Sequence, residues 1–299
     1  MTAPHLIVFG LGYCGLEVAR RAAAAGWRVT GTHRASAAPP AVPPGVATLA
    51  FEDAAAALGE ATHLLSTAAP TESEPGTSGD PVLARHGEAI ARAASLRWVG
   101  YLSTTGVYGN RGGGWVDERS DTRPASPRAR RRVAAEADWR ALTGERLDLF
   151  RLAGIYGPGR SPFAELRAGR ARAIRKPGHV FGRIHRDDIA AAVLAAMAQD
   201  APSCEAGGTT ARPRVLNLSD DVPAESAAVL AEAARLLGMP APPQTPFAAA
   251  VGAMSPMALS FWAEDRRVSS EATQRALGMR WQYPSYREGL AATLRQEGS

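Results

Sequence analysis

Apolar residues along the chain follow two alternating spacings. Short, nearly continuous apolar runs predict β-strands at residues 6–9, 27–31, 46–51, 62–66, 97–102, 147–152 and 215–219. Between them, apolar residues recur every three or four positions and predict helices after residue 15 and at residues 81–95, 127–142, 189–197 and 224–237. Continuous apolar strands separated by amphipathic helices are typical of a parallel sheet covered on both faces. The pattern therefore predicts an α/β fold with a doubly wound parallel sheet.

The first strand leads directly into the motif Gly10-x-Gly12-x-x-Gly15. In a dinucleotide-binding turn, the first glycine permits the tight turn, the second lets backbone approach a pyrophosphate, and the third lets the helix pack closely on the sheet. The pyrophosphate then lies on free N–H groups at the helix N-terminus, which makes Tyr13 and Cys14 candidate cofactor-binding residues as well. The motif predicts a Rossmann-type core, and its alternative is a plain glycine-rich turn.

The residues after the second strand bear on the choice between nicotinamide cofactors. An acid about 20 residues beyond the glycines would hold an unphosphorylated ribose, and this neighbourhood has none. Arg34 can instead face a 2′-phosphate with its planar, permanently charged group, or it is an ordinary surface residue. We therefore expect NADP(H), with NAD as the second option. Asp53 is the candidate for the adenine edge, and Thr67 and Ala68 are candidates for the nicotinamide side.

The regular alternation of strands and helices loosens beyond residue 159. We therefore assign residues 1–160 to the dinucleotide-binding core. Residues 161–299 are predicted as a mixed segment that completes the core (about 184–238) and forms a smaller C-terminal substrate lobe.

The composition is that of a soluble globular protein, with 299 residues, 45% of them hydrophobic and 21% charged. No run approaches about 18 apolar residues, and no secretory leader pattern is visible, so we expect a cytoplasmic protein without a membrane span. The net charge is +5, and the isoelectric point is about 9.7. Because no basic stripe with groove-reading elements accompanies this charge, we expect an anionic small-molecule partner and no nucleic acid.

The two cysteines, Cys14 and Cys204, cannot form a disulfide framework or a cysteine-based metal site. Cys14 lies at a predicted helix start, where the pKa of a thiol can fall. The simpler interpretation is a small residue that fills space beside the cofactor.

Three further segments accompany the glycine motif in order: Ser103-Thr-Thr-Gly-Val-Tyr-Gly109, Arg151-Leu-Ala-Gly-Ile-Tyr-Gly-Pro-Gly159 and Ile184-His-Arg-Asp-Asp-Ile189. Over residues 5–220 the chain resembles the extended short-chain dehydrogenase/reductases, the superfamily of NAD(P)-dependent epimerases and dehydratases. Gly79-Asp-Pro81 and Arg266-Arg-Val-Ser269 resemble an atypical bacterial subgroup of epimerases or oxidoreductases. The resemblance implies the fold and the cofactor class, but it does not imply the reaction.

The resemblance also implies a Tyr-x-x-x-Lys pair on the helix after the fifth strand, with an upstream hydroxyl that Thr104 matches. Counting back from Glu136, which resembles the acid that follows this pair, Arg132 stands at the lysine position and Arg128 at the tyrosine position. The only lysine, Lys176, lies far outside this helix. Arginine has a pKa far above neutral pH, so it does not donate protons efficiently there. We therefore expect Arg132 to hold the ribose and Arg128 to stabilise an oxyanion.

The proton must then come from another group, for which Tyr108, Asp80 and water are the candidates. The alternative for Tyr108 is a ring that packs against the crevice wall, and the alternative for Asp80 is a helix cap before Pro81. His185 resembles a family residue that ties the second lobe to the core, so we expect a structural role for it.

The sequence thus favours an NAD(P)-dependent oxidoreductase or epimerase that acts on a small polar, anionic substrate. Thr104, Arg128, Arg132, Tyr108 and Asp80 are the catalytic candidates. The alternative is a non-catalytic NADP(H)-binding redox sensor, which would keep the glycine motif without a proton donor. Homodimers are common in this superfamily, and a homodimer is an option here.

Overall fold

A computed structural model describes residues 3–34, 41–72, 77–199 and 213–298. Cys204 lies outside these ranges. The strands are β1 His5–Phe9, β2 Arg28–His33, β3 Val46–Ala50, β4 His63–Ser66, β5 Trp98–Thr104, β6 Trp115–Val116, β7 Leu147–Leu152, β8 Gly154–Tyr156, β9 Ala173–Arg175, β10 Arg183–His185, β11 Arg214–Leu218, β12 Gln244–Pro246 and β13 Arg267–Val268. The α-helices are α1 Tyr13–Ala24, α2 Ala54–Leu58, α3 Pro81–Arg92, α4 Pro127–Thr143, α5 Phe163–Arg167, α6 Arg186–Ala198, α7 Ser226–Leu236, α8 Phe247–Ala250, α9 Pro256–Trp262, α10 Glu271–Leu277 and α11 Tyr286–Glu297.

The central sheet of the described residues has seven strands in the order β11-β7-β5-β4-β1-β2-β3, and every neighbouring pair is parallel. This confirms the predicted doubly wound parallel sheet. The strand order changes direction between β1 and β4, and ligands of such sheets bind beside that point, at the carboxyl ends of the strands. β5 extends two residues beyond the predicted end because Ser103 and Thr104 still pair with Arg151 and Leu152 of β7.

Helices cover both faces of the sheet. One buried apolar cluster joins α1 and α6 to one face, with Val18, Ile189 and Val193 fully buried. A second cluster joins α2, α3 and α4 to the other face and includes Leu58 and Trp139. α4 begins as the sequence predicts, with the Ser126 hydroxyl accepting a hydrogen bond from the Ala129 amide at 3.2 Å. The sheet therefore presents its carboxyl edge between two packed helical layers.

The C-terminal lobe packs around a third apolar cluster that includes Tyr156, Phe163 and Leu290. α7 contributes Val229 and Ala233 to this cluster and packs on β9 and α11. Beyond β11, the residues that the structure describes add no strand to the central sheet, and the division of the chain into residues 1–160 and 161–299 stays a prediction. Among the residues that the structure describes, no helix is long and apolar enough to cross a bilayer.

Candidate active site

A cavity of about 890 Å³ opens at the carboxyl edge of the sheet. This volume lies within the range of about 300–1,000 Å³ that small-molecule sites occupy. The glycine loop after β1, Thr67 after β4, and the ends of β5 and β7 form its sheet side. The first turn of α4 and side chains of the C-terminal lobe close the other side.

The three motif glycines differ in their surroundings. Gly10 has a φ of +97°, and the Thr67 hydroxyl donates to its carbonyl at 2.8 Å. A Cβ on Gly15 would lie 2.2 Å from the Gly10 carbonyl oxygen, so a side chain there is incompatible with the helix packing. A Cβ on Gly12 would meet no atom within 4 Å. The chain itself therefore needs glycine at positions 10 and 15, whereas position 12 is open toward the cavity.

The start of α1 fits a dinucleotide pyrophosphate. No side chain caps its N-terminus, and Gly12, Tyr13 and Cys14 line the cavity. Uncapped first-turn amides at the positive end of a helix dipole are suited to phosphate oxygens. The Tyr13 hydroxyl donates to the Pro158 carbonyl at 3.0 Å, and burial raises the pKa of Tyr13 to about 12. Tyr13 is therefore a neutral ring held beside the loop.

Cys14 is buried in the same wall. Burial raises the pKa of its thiol to about 11, so the thiol stays protonated at neutral pH. This favours the space-filling interpretation over a reactive thiolate.

Some of the remaining candidate cofactor-binding residues line the cavity, and others do not. Arg34 is exposed directly after β2, and Asp53 is exposed in the turn before α2. Neither lines the cavity, so both assignments stay predictions about where the adenosine half would lie. Thr67 lines the cavity, and the carbonyl of Ala68 accepts a 3.3 Å hydrogen bond from Arg132.

Arg132 is buried in the wall, with 9% of its surface exposed. Its Nη1 donates to the Tyr101 hydroxyl at 2.8 Å and to the Leu102 carbonyl at 2.9 Å. The guanidinium also lies 5.5 Å from the centre of the Tyr101 ring. Arg132 is therefore a fixed cation at the cavity wall.

Arg128 lies one turn earlier on α4, is exposed and lines the cavity. Thr104 also lines the cavity, and its hydroxyl accepts the Gly106 amide at 3.1 Å. α4 contains neither tyrosine nor lysine. Thr104, Arg128 and Arg132 thus all belong to the wall of this cavity.

The other two catalytic candidates lie outside that wall. Tyr108 is fully buried, and its hydroxyl donates to Asn217 Oδ1 at 2.7 Å. Asp80 is also buried: Oδ1 accepts the Val82 and Leu83 amides, and Oδ2 accepts Trp139 Nε1 at 3.0 Å. Burial raises the pKa of both groups. These contacts favour the alternatives, a packed ring for Tyr108 and a helix cap for Asp80, and the two catalytic assignments stay untested predictions.

His185 connects the core to the lobe. Its Nδ1 accepts the Asp187 amide and so caps α6, and its Nε2 lies 3.2 Å from the Thr293 hydroxyl of α11. Burial lowers the pKa of His185 to about 4. A neutral, fully enclosed ring with these contacts agrees with the structural role.

Sequence reasoning missed a buried polar cluster beneath the cavity floor. Glu136 accepts two hydrogen bonds from Arg151, at 3.1 and 2.7 Å, and one from Ser103 at 2.6 Å. The Arg151 guanidinium lies 4.8 Å from the centre of the Tyr108 ring. The sequence marks Glu136 only by its place after the expected pair, and no local pattern indicates that Arg151 of β7 is its partner.

Sequence reasoning also missed most of the lobe's contribution to the cavity. Met257 and Phe261 of α9 line it with 64% and 55% of their surfaces exposed. Glu264 and Arg266 line it from the segment between α9 and β13. Of these residues, the sequence marks only Arg266, as part of a resembling motif without an assigned role.

No family model and no curated protein matches the sequence, and the relatives are solved structures. An NAD-dependent epimerase/dehydratase assignment has been given to a Methylobacillus flagellatus protein that is 25% identical, with 99% of each chain covered and a TM-score of 0.73. The human epimerase family protein SDR39U1, solved with NADPH, shares the fold at 19% identity, with 97% of this chain and 99% of that chain covered and a TM-score of 0.74.

The chain thus shares its fold with proteins that are described as members of the epimerase and the NAD-dependent epimerase/dehydratase families. A conserved protein of unknown function from Silicibacter pomeroyi is 42% identical over 98% of this chain and 99% of that chain, with a TM-score of 0.85. The chain belongs to the family of this Silicibacter protein.

Proposed function

We propose that the protein is an NADP(H)-dependent oxidoreductase or epimerase of the atypical extended short-chain dehydrogenase/reductase type, which acts on a small polar, anionic substrate. The single observation that carries the proposal is one continuous cavity with an uncapped glycine loop at the sheet and arginines on the facing wall. The cytoplasmic location and the homodimer stay predictions.

The cofactor half of the proposal rests on the first turn of α1. Gly12, Tyr13 and Cys14 would hold the pyrophosphate, Arg34 the 2′-phosphate and Arg132 the ribose. When bound, the nicotinamide accepts or supplies a hydride. Neighbours of this fold have been solved with NADPH and with NAD, so the choice of NADP(H), with NAD as the second option, depends on Arg34.

The anionic substrate is inferred from the charges of the side chains that line the cavity. Among the described residues, the lining arginines are Arg128, Arg131, Arg132, Arg160, Arg183 and Arg266, against the single carboxylate of Glu264. α4 has four arginines in its first six residues and no acid in its first turn. Cations at the positive end of a helix dipole are unfavourable by about 0.3–1 kcal/mol each, and an anionic ligand would offset that repulsion.

Thr104 would orient the reacting oxygen, and Arg128 would stabilise negative charge that develops on it. The non-catalytic redox sensor gains no support from the epimerase and dehydratase neighbours. Turnover distinguishes the two, because an enzyme changes NADPH absorbance with some substrate and a sensor does not.

The test is the binding of NADPH and NADH to the wild type and to Arg34→Ala, with Arg85→Ala, another exposed arginine, as the control. We expect Arg34→Ala to weaken NADPH binding at least about tenfold, or about 1.4 kcal/mol, and to leave NADH binding unchanged. Equal affinity for both cofactors in all three proteins would contradict the assignment of Arg34. A wild type that binds NADPH but turns over no carbonyl compound would favour the sensor.

A further inference from the structure

The cavity wall offers few groups that can exchange a proton. Among the described residues that line it there is no histidine or lysine, and Glu264 is the one carboxylate. The hydroxyl of Tyr13 donates to the Pro158 carbonyl. The hydroxyl of Tyr156 packs so closely on α11 that a Cβ on Gly289 would lie 1.8 Å from it. With Tyr108 and Asp80 outside the wall, Glu264 is the side chain left with suitable acid–base chemistry.

Glu264 is connected to the turn that carries Thr104 through Arg266. Arg266 Nη1 donates to Glu264 Oε2 at 2.6 Å and to the Gly109 carbonyl at 3.0 Å. Measured from a Cβ built on Gly106, Thr104 Oγ1 is 3.4 Å away and Arg266 Nη2 is 4.0 Å away. The Arg266 guanidinium therefore connects the carboxylate to the turn that presents the Thr104 hydroxyl.

The segment that carries Glu264 is fixed to the loop after β5 by backbone contacts. The Asp265 carbonyl accepts the Arg111 and Gly113 amides at 2.8 and 3.1 Å, and the Asp265 amide donates to Asn110 Oδ1 at 3.0 Å. β13 then pairs with β6 in parallel. Although Glu264 belongs to the C-terminal lobe, its backbone is held by the same loop that continues from Thr104.

We propose that Glu264 is the catalytic residue that exchanges a proton with the reacting oxygen of the substrate, and that Arg266 is its positioning residue. The inference rests on the function proposed above. In oxidation of an alcohol, the O–H proton passes to a Glu264 carboxylate oxygen while the C–H electron pair leaves as a hydride to the oxidised nicotinamide, and a C=O bond forms. Reduction reverses each transfer.

The charged groups around Glu264 are mostly cationic. Arg266 is hydrogen-bonded to it, and Asp265, whose carboxylate lies 4.0 Å from His179, is the adjacent acid. The other cationic side chains that line the cavity are Arg128, Arg131, Arg132, Arg160 and Arg183.

The experiment compares wild type, Glu264→Gln, Glu264→Asp and Arg266→Gln, with Glu271→Gln as the matched control. Glu271 is an exposed acid on the neighbouring helix α10 and does not line this cavity. The probes are pyruvate, oxaloacetate and 2-oxoglutarate with NADPH, and UDP-glucuronic acid with NADP+. NADPH affinity and melting temperature are measured for every variant, and kcat and KM are measured from pH 5 to 9.

We expect Glu264→Gln to lower kcat by about 10²–10⁴-fold and to leave KM, NADPH affinity and melting temperature near wild-type values. Glu264→Asp should recover part of the rate, and Glu271→Gln should match the wild type. Arg266→Gln should lower kcat and leave KM near the wild-type value, because the Glu264 carboxylate loses the side chain that positions it.

Two results overturn the inference and leave the proposed function intact. The first is a Glu264→Gln rate within about threefold of wild type. The second is a lower rate accompanied by weaker NADPH binding or a lower melting temperature, which would assign a structural role to Glu264. A wild type that does not bind NADPH, or that turns over none of the probes, contradicts the proposed enzyme and with it the inference.

Discussion

Alanine at two of the motif glycines should separate folding from ligand binding. At position 15 the new methyl group would lie 2.2 Å from the Gly10 carbonyl oxygen and 3.2 Å from Thr67 Cγ2, so α1 and the strand must move apart. At position 12 it would meet nothing within 4 Å, and the φ of −82° suits alanine. One added methyl group should therefore lower the stability of the fold at position 15 and weaken cofactor binding at position 12.

These contacts set the expected changes in stability and in NADPH affinity. Overpacking a closed site costs about 1–3 kcal/mol, which for Gly15→Ala corresponds to a fall of roughly 2–10 °C in melting temperature. Gly12→Ala should change the free energy of unfolding by less than about 0.5 kcal/mol. Its methyl group would occupy the space where backbone approaches a pyrophosphate, so we expect NADPH affinity to fall at least about tenfold.

The assay is calorimetric melting of the free proteins together with NADPH titration. Gly87→Ala is the control, because a Cβ there also meets nothing within 4 Å and Gly87 lies on α3, far from the loop in sequence. Wild-type NADPH affinity in Gly12→Ala would refute the assignment of the loop to the pyrophosphate. A wild-type melting temperature in Gly15→Ala would refute the packing role.

Three further perturbations test other parts of the structure. Glu136→Gln leaves the buried Arg151 without its carboxylate and should lower the free energy of unfolding in urea by roughly 3–5 kcal/mol, while Glu165→Gln in an exposed pair should change nothing measurable. Burial raises the pKa of Asp220 from 3.8 to about 8, so the contribution of this carboxyl to the free energy of unfolding is complete below about pH 4 and is lost as pH rises from 4 to 8, where the unfolded chain ionises first. The melting temperature of Asp220→Asn should exceed that of the wild type by a margin that grows over this range, and a constant margin would contradict it. Thr104→Val should lower kcat without changing NADPH affinity, and equal losses in both would point to a cofactor contact.

The sheet and the glycine loop could be predicted because their signals are local. A continuous apolar run specifies a buried strand wherever its partners lie, and the spacing of Gly10, Gly12 and Gly15 encodes a turn within six residues. The start of α4 was similarly local, since Ser126 and Pro127 act on the first turn of the helix that they begin. Errors at strand ends were small and arose where ladder pairing extended past the apolar run, as at Ser103 and Thr104.

The proton donors could not be predicted in the same way. Tyr108 follows the end of β5, and Asp80 directly precedes α3. From the sequence, both positions are expected beside the ligand crevice. Their burial is decided by partners 109 and 59 residues away, Asn217 and Trp139. For Glu264 the opposite holds. Its neighbours in the sequence indicate no site, and it is held at the cavity by the contacts of its segment with the loop after β5 and by the pairing of β13 with β6.

A lysine-dependent mechanism would rely on Lys176 or on Arg132 at the lysine position. The contacts of these two cations explain why a carboxylate from the lobe is needed. The Lys176 ammonium donates to the Trp262 carbonyl at 2.7 Å and lies 4.8 Å from the centre of the Phe247 ring, so it holds the lobe together. Arg132 is fixed to Tyr101 and the end of β5, and its guanidinium stays charged at any working pH. Both cations can position neighbouring groups, but neither can deliver a proton. If the protein turns over a substrate, the acid–base group must therefore reach the cavity from outside α4, and Glu264 is the described carboxylate that does so.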